Sequence, residues 1–381
     1  MKEGWSNRKI GDICSITDFV SNGSFASLRE NVKYYNSPNY AILIRLADAS
    51  NGFDSSKFVY TDKHGYDFSK KSHLQGGELI MSNVGSVGSM FICPIMAQPM
   101  TLAPNTISIT SQNNKFLYYY FHSNGFKEKL KGITSSTTLK KFNKTNFKLL
   151  EISIPSPSEQ QSIVDYLDAA FAKIDALKAN AEKQLNDARA LFQAELSESM
   201  MPKEGWEEKT LPDISENLDS KRRPVTKGKR ESGKYPYYGA SGIVDYVSDY
   251  IFDDDLLLIS EDGANLLARS TPIAFSVSGK IWVNNHAHIL KFKDIYTQYF
   301  VEYYFASIKL DEYVTGAAQP KFSQKNMNKL PLWIPPLSEQ QQIVAHLDAL
   351  SAKVKELEKI NEQTQKECDA LKQAMLREIF E

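Results

Sequence analysis

The stretch that begins at Gly228 comes close to the glycine-rich loop that binds nucleotide phosphates. It reads Gly-Lys-Arg-Glu-Ser-Gly-Lys-Tyr and ends at Tyr235. A phosphate-binding loop follows an apolar strand and places a Ser or Thr hydroxyl on Mg²⁺ directly after its lysine. Here a tyrosine takes the place of that hydroxyl, and no apolar strand precedes Gly228. The pattern therefore does not predict ATP binding.

Two other groups contain residues that can bind a divalent metal ion. Carboxylates are concentrated in the region Asp253–Asp262, and His286 and His288 lie two residues apart, on one face if the segment is a strand. An acidic turn before an apolar strand accounts for the carboxylates, and two histidines without an evident third ligand are typical of a satisfied polar pair. We predict no metal site and no catalytic residue. A self-contained metal-dependent DNA nuclease that uses Asp253–Asp262 is the alternative.

Basic residues are concentrated in a short segment of the second half of the chain. Residues 221–234 contain seven lysines and arginines against Glu231 alone, and residues 235–242 follow as Tyr-Pro-Tyr-Tyr-Gly-Ala-Ser-Gly. Cations neutralise DNA phosphates, while aromatic and hydroxyl groups can contact base edges. The predicted DNA contacts of this half are Lys221, Arg222, Arg223, Lys227, Lys229, Arg230, Lys234, Tyr237, Tyr238 and Ser241.

The first half contains similar residues at wider spacing. Two lysine pairs occur, and the second pair follows a run of serines and threonines at residues 134–138. The predicted DNA contacts of this half are Lys70, Lys71, Asn83, Ser86, Thr134, Ser135, Lys140 and Lys141. A charged run is also typical of a solvated loop, so these patterns alone do not establish a nucleic-acid partner.

The composition is that of a globular protein with more than one domain. The chain has 381 residues, of which 42% are hydrophobic and 24% charged, which is sufficient for two or three cores. No apolar run is long enough to cross a bilayer, and no N-terminal signal segment is evident, so we expect a cytoplasmic protein without a membrane partner. Cys14, Cys93 and Cys368 are widely spaced, which excludes a disulfide framework.

The net charge of −1 conceals an uneven distribution of charge along the chain. Residues 1–157 contain 18 basic and 11 acidic residues, whereas residues 158–201 contain 4 and 8. Residues 202–337 contain 17 and 18, and residues 338–381 contain 6 and 9. A polyanion responds to the local placement of charge rather than to the total, so the net charge does not exclude DNA.

The chain is an internal duplication. Gly-Trp occurs at residues 4–5 and again at 205–206, and in both places Asp-Ile begins seven residues after the tryptophan. Residues 141–168 align without gaps to residues 321–348, and 14 of the 28 positions are identical. The offset is 201 at the start of each repeat and 180 at its end. The ends are therefore similar and the interiors differ in length, which indicates one scaffold that carries two different surfaces.

Each repeat ends in a segment with the pattern of a long helix. Ser158 with Gln161, and Ser338 with Gln341, match the capping box that starts a helix. The residues predicted to form the packing seam are Leu167, Ile174, Leu177 and Leu191 in the first helix and Leu347, Leu350, Val354, Leu357 and Leu371 in the second. Steps of three and four residues are those of a coiled coil. We predict that the helices pair with each other in antiparallel orientation; separate packing on their own domains is the alternative.

The domain boundaries follow from the repeat. We predict one globular domain at residues 1–157, a helix at 158–201, a second globular domain at 202–337 and a helix at 338–381. The predicted strands are 40–44, 78–81, 106–109, 256–259, 271–277 and 287–292, the predicted helices are 116–121 and 299–305, and glycines 76, 77, 85 and 88 mark turns. The predicted fold class is α+β, with two mixed domains and two long helices related by a pseudo-two-fold repeat.

In these features the chain resembles the specificity (S) subunits of type I restriction-modification enzymes over essentially its whole length. The resemblance is carried by the two Gly-Trp…Asp-Ile openings, by Ile-Pro-x-Pro/Leu-Ser-Glu-Gln-Gln at the start of both helices, and by residues 235–242. Residues 43–45, Leu-Ile-Arg, and 76–80, Gly-Gly-Glu-Leu-Ile, are similar to further landmarks of the family. Glu78 stands where many relatives have Asp.

The resemblance implies two target-recognition domains that each read one half of a bipartite, asymmetric site on double-stranded DNA. The paired helices would set the spacing and dock modification (M) subunits, two of them by this expectation, and restriction (R) subunits could join. S-adenosylmethionine, ATP and Mg²⁺ would act on those partners, and this chain would bind no cofactor and catalyse no reaction. A coiled-coil scaffold without nucleic acid is a further alternative.

Overall fold

The computed structural model describes residues 4–135, 139–316 and 319–381. The chain divides into two compact units, the first formed by residues 1–179 with 363–381 and the second by residues 180–362. Each unit has its own hydrophobic core. Among the described helices, none combines the length and the apolar composition that crossing a membrane requires.

The first unit contains short strands and helices and the start of one long helix. Its strands are β1 (Ser6–Lys9), β2 (Ser15–Asp18), β3 (Ala41–Ile44), β4 (Tyr60–Thr61), β5 (His73–Leu74), β6 (Leu79–Ser82), β7 (Met90–Ile92), β8 (Met100–Leu102), β9 (Thr106–Thr110) and β10 (Glu151–Ile154). Its helices are α1 (Ile10–Ile13), α2 (Phe25–Asn31), α3 (Leu46–Ser50), α4 (Lys63–Phe68), α5 (Asn114–His122), α6 (Asn124–Gly132), α7 (Lys144–Leu149) and the long α8 (Pro157–Ser199). Short 3₁₀ helices occur at Phe19–Asn22, Ser55–Lys57 and Lys70–Ser72.

The second unit contains the same kinds of element. Its strands are β11 (Glu207–Lys209), β12 (Ser215–Asn217), β13 (Ser232–Gly239), β14 (Gly242–Val247), β15 (Phe252–Asp253), β16 (Leu256–Ser260), β17 (Ala274–Val277), β18 (Lys280–Val283), β19 (Ala287–Phe292) and β20 (Leu332–Ile334). Its helices are α9 (Leu211–Ile214), α10 (Asn265–Ala268), α11 (Ile295–Ser307), α12 (Gln324–Met327) and the long α13 (Leu337–Phe380), with 3₁₀ helices at Asp219–Lys221 and Lys227–Lys229.

The two units have the same strand topology. The first contains sheets of order β2-β9-β6-β7 and β4-β3-β8-β5 and the ribbon β1-β10; the second contains β12-β19-β16-β17, β14-β13-β18-β15 and β11-β20. In each unit one central pair is parallel, β3 with β8 and β13 with β18. The duplication seen at the ends of the sequence repeats therefore extends through the interiors, although their lengths differ.

Strands β6 and β16, which correspond in the two units, are each buried on both faces. In β6, Leu79 and Met81 belong to the core that includes α5, whereas Ile80 belongs to a second core between the two sheets. In β16, Leu257 and Leu258 are divided in the same way. Successive side chains of a strand point to opposite faces, and this explains why these strands are uninterrupted apolar runs in the sequence. All six predicted strands and both predicted aromatic helices are present.

In the first unit the two long helices lie side by side and antiparallel. Lys178 is 2.8 Å from Asp369, and Asp175 is 2.5 Å from Lys372. The lower-numbered residue of α8 thus pairs with the higher-numbered residue of α13, so the two helices run in opposite directions. Phe380, at the end of α13, packs against Trp5 of this unit.

In the second unit the helices have the same relationship. Arg189 of α8 is 2.7 Å from Glu358 of α13, and Glu195 is 3.2 Å from His346. Leu196 and Leu347 are fully buried in the core of this unit. The predicted antiparallel pairing is therefore confirmed in each unit, and the alternative of helices packed separately on their own domains is wrong.

The predicted packing seam is only partly correct. Leu167, Ile174 and Leu347 are buried, and Leu350, Val354 and Leu357 are half-buried. The corrections are Leu177, Leu191 and Leu371, each more than 50% exposed.

The error in α8 is one of phase. The covered positions after Ile174 include Lys178, Ala181, Leu185, Ala188 and Phe192, so a four-residue step comes before each three-residue step. Near the end of α13, Cys368 and Leu376 are buried, whereas Leu371 is exposed and lies outside the seam.

The predicted capping boxes are also wrong. The long helices begin at Pro157 and Leu337, so Ser158 and Ser338 lie inside the first turn rather than before it. The side chains of Gln160 and Gln340 instead donate to the carbonyls two residues before each helix, at 3.1 and 2.8 Å. Proline fits the first turn because its missing N–H would have no helical acceptor there.

Candidate nucleic-acid interface

In the first unit, a turn after β6 packs against the segment that precedes α7. The N–H of Gly85 donates to the carbonyl of Lys140 at 2.9 Å, and the N–H of Phe142 donates to the carbonyl of Asn83 at 3.1 Å. Gly85 has a φ of 80°, a region that side chains with a Cβ rarely occupy. The structure thus brings the predicted residues Asn83 and Ser86 to the predicted lysines Lys140 and Lys141.

The hydroxyl-rich run before these lysines has two different roles. Ser135 joins the site, since its N–H donates to the Lys141 carbonyl at 2.8 Å and its hydroxyl accepts from the Lys141 N–H at 3.2 Å. The hydroxyl of Thr134 donates to the carbonyl of Leu130 within α6, so its donor is used inside the protein. Residues 136–138 of the predicted run lie outside the described residues.

Lys70 and Lys71 are held at a different point of the first unit. Their 3₁₀ helix is tied to the segment after β2 by Asn22, whose side chain accepts from the Lys71 N–H and donates to the Ser72 hydroxyl, both at 2.8 Å. Both lysines are exposed. Within the described part of this unit, no ion pair involves either lysine, so both ammonium groups are available to an anion.

The second unit builds the same backbone arrangement. The N–H of Gly263 donates to the carbonyl of Pro320 at 3.0 Å, and the N–H of Phe322 donates to the carbonyl of Glu261 at 2.7 Å. These positions correspond to Gly85, Lys140, Phe142 and Asn83 at offsets of 178 and 180. Equivalent places in the two units therefore present different side chains, an amide in one and a carboxylate in the other.

That carboxylate belongs to a buried charge network. Arg222 lies 2.5 Å from Glu261, and Lys321 lies 3.2 Å from the same carboxylate. His288, which is 1% exposed, contacts Asp219 at 2.6 Å through Nδ1 and the carbonyl of Phe322 at 2.8 Å through Nε2. The predicted DNA contact Arg222 is thus placed inside the unit, where it also donates to a backbone carbonyl.

The network keeps both of its carboxylates ionised. Burial disfavours ionisation of Asp219, but the hydrogen bond and charge of His288 and the charge of Arg222 outweigh it, so the pKa of this carboxyl lies below its usual value. For Glu261, burial is opposed by Arg222, His288 and Lys321, and the pKa is again lowered. Asp219, Glu261 and His288 offer ligand atoms within 4.8 Å of one another. Because two cations already neutralise them, we assign the group as an ion network and not as a metal site.

The remaining basic residues of the 221–234 segment fall into two classes. Arg230 lies 3.1 Å from Asp245 and 4.3 Å from the ring centre of Tyr237, and is therefore used internally. The predicted contacts with exposed side chains are Lys221, Arg223, Lys227, Lys229 and Lys234. In the described part of the second unit, no ion pair involves any of these five.

The tyrosines and serine after this segment lie on the β13–β14 hairpin. Tyr237 is fully buried, and its hydroxyl accepts from the N–H of Val225 at 2.9 Å, so it positions the basic segment rather than facing solvent. Tyr238 is half-buried, and Ser241 is exposed in the turn. Ser241 is thus the member of this group that is open to a ligand.

The acidic region Asp253–Asp262 does not form one site. Asp254 pairs with Lys291, and Asp255 accepts from Ser278 at 2.6 Å. Strand β16 separates Asp255 from Glu261, and six residues at about 3.3 Å each place them about 20 Å apart. They cannot hold one metal ion between them, so the nuclease alternative loses its site.

Sequence reasoning missed an aspartate that is paired at the same position in both units. Asp18 and Asp219 occupy equivalent positions at the offset of 201, and Asp18 pairs with Lys144 at 3.0 Å much as Asp219 pairs with His288. The sequence contained a signal for this pair, because Asp18 and Asp219 are separated by the same 201 residues as the two Asp-Ile openings.

The sequence matches a known protein family twice. The family described as the type I restriction modification DNA specificity domain matches residues 2–187 and again residues 203–366. A Haemophilus influenzae protein whose name describes a type I restriction enzyme specificity subunit is 36% identical over 144 residues, 38% of this chain and 37% of that protein. The EcoKI specificity subunit of Escherichia coli K12 is 22% identical over 433 residues, 100% of this chain and 89% of that protein.

Solved structures share the fold at low sequence identity. A chain from a study of complex assembly and conformational transition of the type I R-M system superposes with a TM-score of 0.74 at 16% identity, covering 100% of this chain and 98% of that one. The HsdS subunit from Thermoanaerobacter tengcongensis superposes with a TM-score of 0.59 at 16% identity, covering 100% and 97%. Both likenesses extend over the whole of this chain.

Proposed function

The chain belongs to the type I restriction modification DNA specificity family, whose domain it carries twice, and from this we propose that each unit reads one half of a bipartite, asymmetric site on double-stranded DNA. The observation that carries the proposal is the repeated scaffold. Both units have the same sheet topology, yet Asn83 in one stands where Glu261 stands in the other. Equal scaffolds with unequal side chains fit two unlike half-sites.

The charge distribution supports DNA as the ligand. In the second unit Lys221, Arg223, Lys227 and Lys229 are exposed, and so is Ser241 in the turn of the β13–β14 hairpin. In the first unit Lys140 and Lys141 adjoin the polar Asn83–Ser86 turn. Exposed cations supply the sequence-independent part of DNA affinity, and neighbouring amide and hydroxyl groups can contact base edges.

The long helices fit the role of a spacer. α8 contributes to both units, as does α13, and the two are antiparallel in each. We propose that residues 1–157 and 202–337 are the target-recognition domains and that residues 158–201 and 338–381 set the distance between the half-sites.

We further propose that the chain is a noncatalytic subunit that acts in a complex. The structural relative described in a study of complex assembly of the type I R-M system supports partner subunits. Modification subunits, two by this proposal, would supply methyl transfer from S-adenosylmethionine, and restriction subunits would supply ATP- and Mg²⁺-dependent cleavage. This chain would bind none of these cofactors. Its place of action would be the cytoplasm, where such a complex meets DNA.

The proposal is tested by methylome sequencing of cells that express the chain with its modification subunit. A bipartite methylated motif with two unlike halves is the expected result. Replacing residues 1–157 with the corresponding domain of a relative should change one half of that motif and leave the other intact. A motif that is unchanged after the replacement would contradict the proposal, as would the absence of any methylated motif.

A further inference from the structure

A groove in the first unit lies beside the short helix α2. Its floor is formed by Phe19, Leu28 and Val32, which are buried together against Phe68. The groove has a volume of about 510 Å³. The bottom of the groove is therefore a packed apolar cluster.

Aromatic side chains form the walls of this groove. Phe25, the first residue of α2, is 80% exposed, and Tyr34 is 55% exposed. A phenylalanine exposed to this extent gains little of the free energy that burial of its ring would supply. A large exposed aromatic side chain at the mouth of a groove indicates a ligand.

The rim of the groove is positively charged. Arg29 and Lys33 line it, and both are exposed. Among the described residues neither takes part in an ion pair, and the neighbouring carboxylate of α2, Glu30, is exposed and pairs with neither. A groove with an apolar floor, aromatic walls and a cationic rim is complementary to bases and phosphates rather than to a cationic or purely apolar partner.

Two polar links connect this groove to the interface of the first unit. Asn22, just before α2, holds the segment that carries Lys70 and Lys71. Lys144, directly after the Lys140–Lys141 segment, pairs with Asp18 and donates to Ser21 at 2.6 Å. These bonds tie the segment that leads into α2 to residues next to the predicted DNA contacts of the same unit.

The second unit places its basic segment at the same point of the fold. The connection from β12 to β13 contains Asp219 and carries the exposed cations of residues 221–229. Strand β2 ends at Asp18, and the connection from β2 to β3 carries α2. The two connections follow equivalent strands of equivalent sheets. The position that is strongly basic in one unit is the groove in the other.

We infer that this groove is a DNA-contacting surface of the first unit, in which Arg29 and Lys33 bind phosphates and Phe25 contacts the bases of the half-site. The inference rests on the proposed function and extends it, because it assigns a specificity-determining residue outside the segments in which sequence patterns indicated contacts. The ligand is duplex DNA, and the exposed ring supplies an apolar surface for a base or for a thymine methyl group.

The test is equilibrium binding of the whole complex, this chain with its modification subunit, to a fluorescent duplex that carries the methylated motif. Phe25→Ala should weaken binding about tenfold with an unchanged salt dependence. The double variant Arg29→Ala/Lys33→Ala should reduce the slope of log K against log salt by about 1.8, at about 0.9 for each phosphate contact. Phe25→Ala should also relax the methylated motif in one half only.

The matched controls are Ile95→Ala, which removes another apolar side chain that is 84% exposed, and Lys9→Ala, which removes an exposed cation from β1. Both should bind like the parent. If the groove variants also bind like the parent, the inference is overturned while the proposed function stands. Loss of the modification subunit from the Phe25 variant would overturn it too, since the groove would then be a protein contact. A parent complex that binds no duplex would overturn both.

Discussion

The hydroxyl of Tyr119 in α5 donates a hydrogen bond of 2.5 Å to the carboxylate of Asp168 in α8, and the same bond recurs in the second unit between Tyr303 and Asp348 at 2.6 Å. The two aspartates correspond at the offset of 180. Burial, followed by the bond to the carboxylate, raises the pKa of both tyrosines. Each unit therefore fastens its aromatic helix to a long helix through the same pair.

Removing this bond should loosen the attachment of the aromatic helix. Tyr119→Phe and Tyr303→Phe should each lower the free energy of unfolding by about 1 kcal/mol, because a hydrogen bond to a partly solvated carboxylate is removed while the ring stays in place. Urea denaturation measures the change. The matched controls are Tyr118→Phe and Tyr299→Phe, whose hydroxyls make no hydrogen bond within the described residues. Equal losses in variants and controls would contradict the assigned role.

The buried network of the second unit should make its stability depend on acid. The carboxyls of Asp219 and Glu261 have ordinary pKa values of 3.8 and 4.5 and lower ones in the folded state. Their contribution is therefore complete above about pH 4.5 and is lost as the pH falls through the lowered values. Thermal melts between pH 6 and pH 3 should show this loss.

Glu261→Gln tests the same network directly. The variant removes the carboxylate that Arg222 and Lys321 share, while Arg222 keeps Asp219 at 3.6 Å. We expect a loss of about 2 kcal/mol at neutral pH together with a weaker dependence on acid. Asp253→Asn, which changes an exposed carboxylate of the same unit, is the control. An unchanged acid profile in Glu261→Gln would show that the network does not stabilise the unit.

The basic segment should separate into residues that bind DNA and residues that hold the fold. Replacing Lys221, Arg223, Lys227 and Lys229 with glutamine should weaken DNA binding and reduce its salt dependence by about 0.9 for each phosphate that is no longer neutralised, with little change in melting temperature. Arg230→Gln should instead lower the melting temperature, since its partners are Asp245 and Tyr237. Salt titrations of DNA binding and thermal melts of both variants measure the two effects. The reverse pattern would contradict the assignment.

The length of the paired helices should set the gap in the recognised site. One added heptad at facing positions of α8 and α13 lengthens both by about 10 Å at about 1.5 Å per residue. At about 3.4 Å per base pair the methylated motif should gain about three base pairs between its halves. Methylome sequencing reads the gap. A heptad added to α8 alone should destabilise the protein without a defined longer gap, and an unchanged gap in the double insertion would refute the spacer role.

The elements with a strong local signal could be predicted from sequence. The duplication, the buried strands β6 and β16 and the long helices are evident because consecutive apolar residues and three- and four-residue steps reflect the local geometry of the backbone. The charge of the segment 221–234 is equally evident from its composition. The local pattern did not decide which positions of the long helices face the partner helix. Leu177 and Lys178 are neighbours on α8, and only the facing helix determines which of them is covered.

The tertiary structure decided which individual polar residues are paired inside the protein and which are exposed. Arg222 and Arg223 are neighbours in the sequence, yet one is neutralised by Glu261 and the other is exposed, because partners distant in the chain determine which cation is paired. Phe25 could not be distinguished from ordinary apolar residues until the fold placed its ring in solvent. The sequence by itself thus determined a duplicated scaffold with two long helices, whose patterns are local and repeated. The three-dimensional packing alone decided which side chains remain free to meet a ligand, because that depends on contacts between residues far apart in the chain.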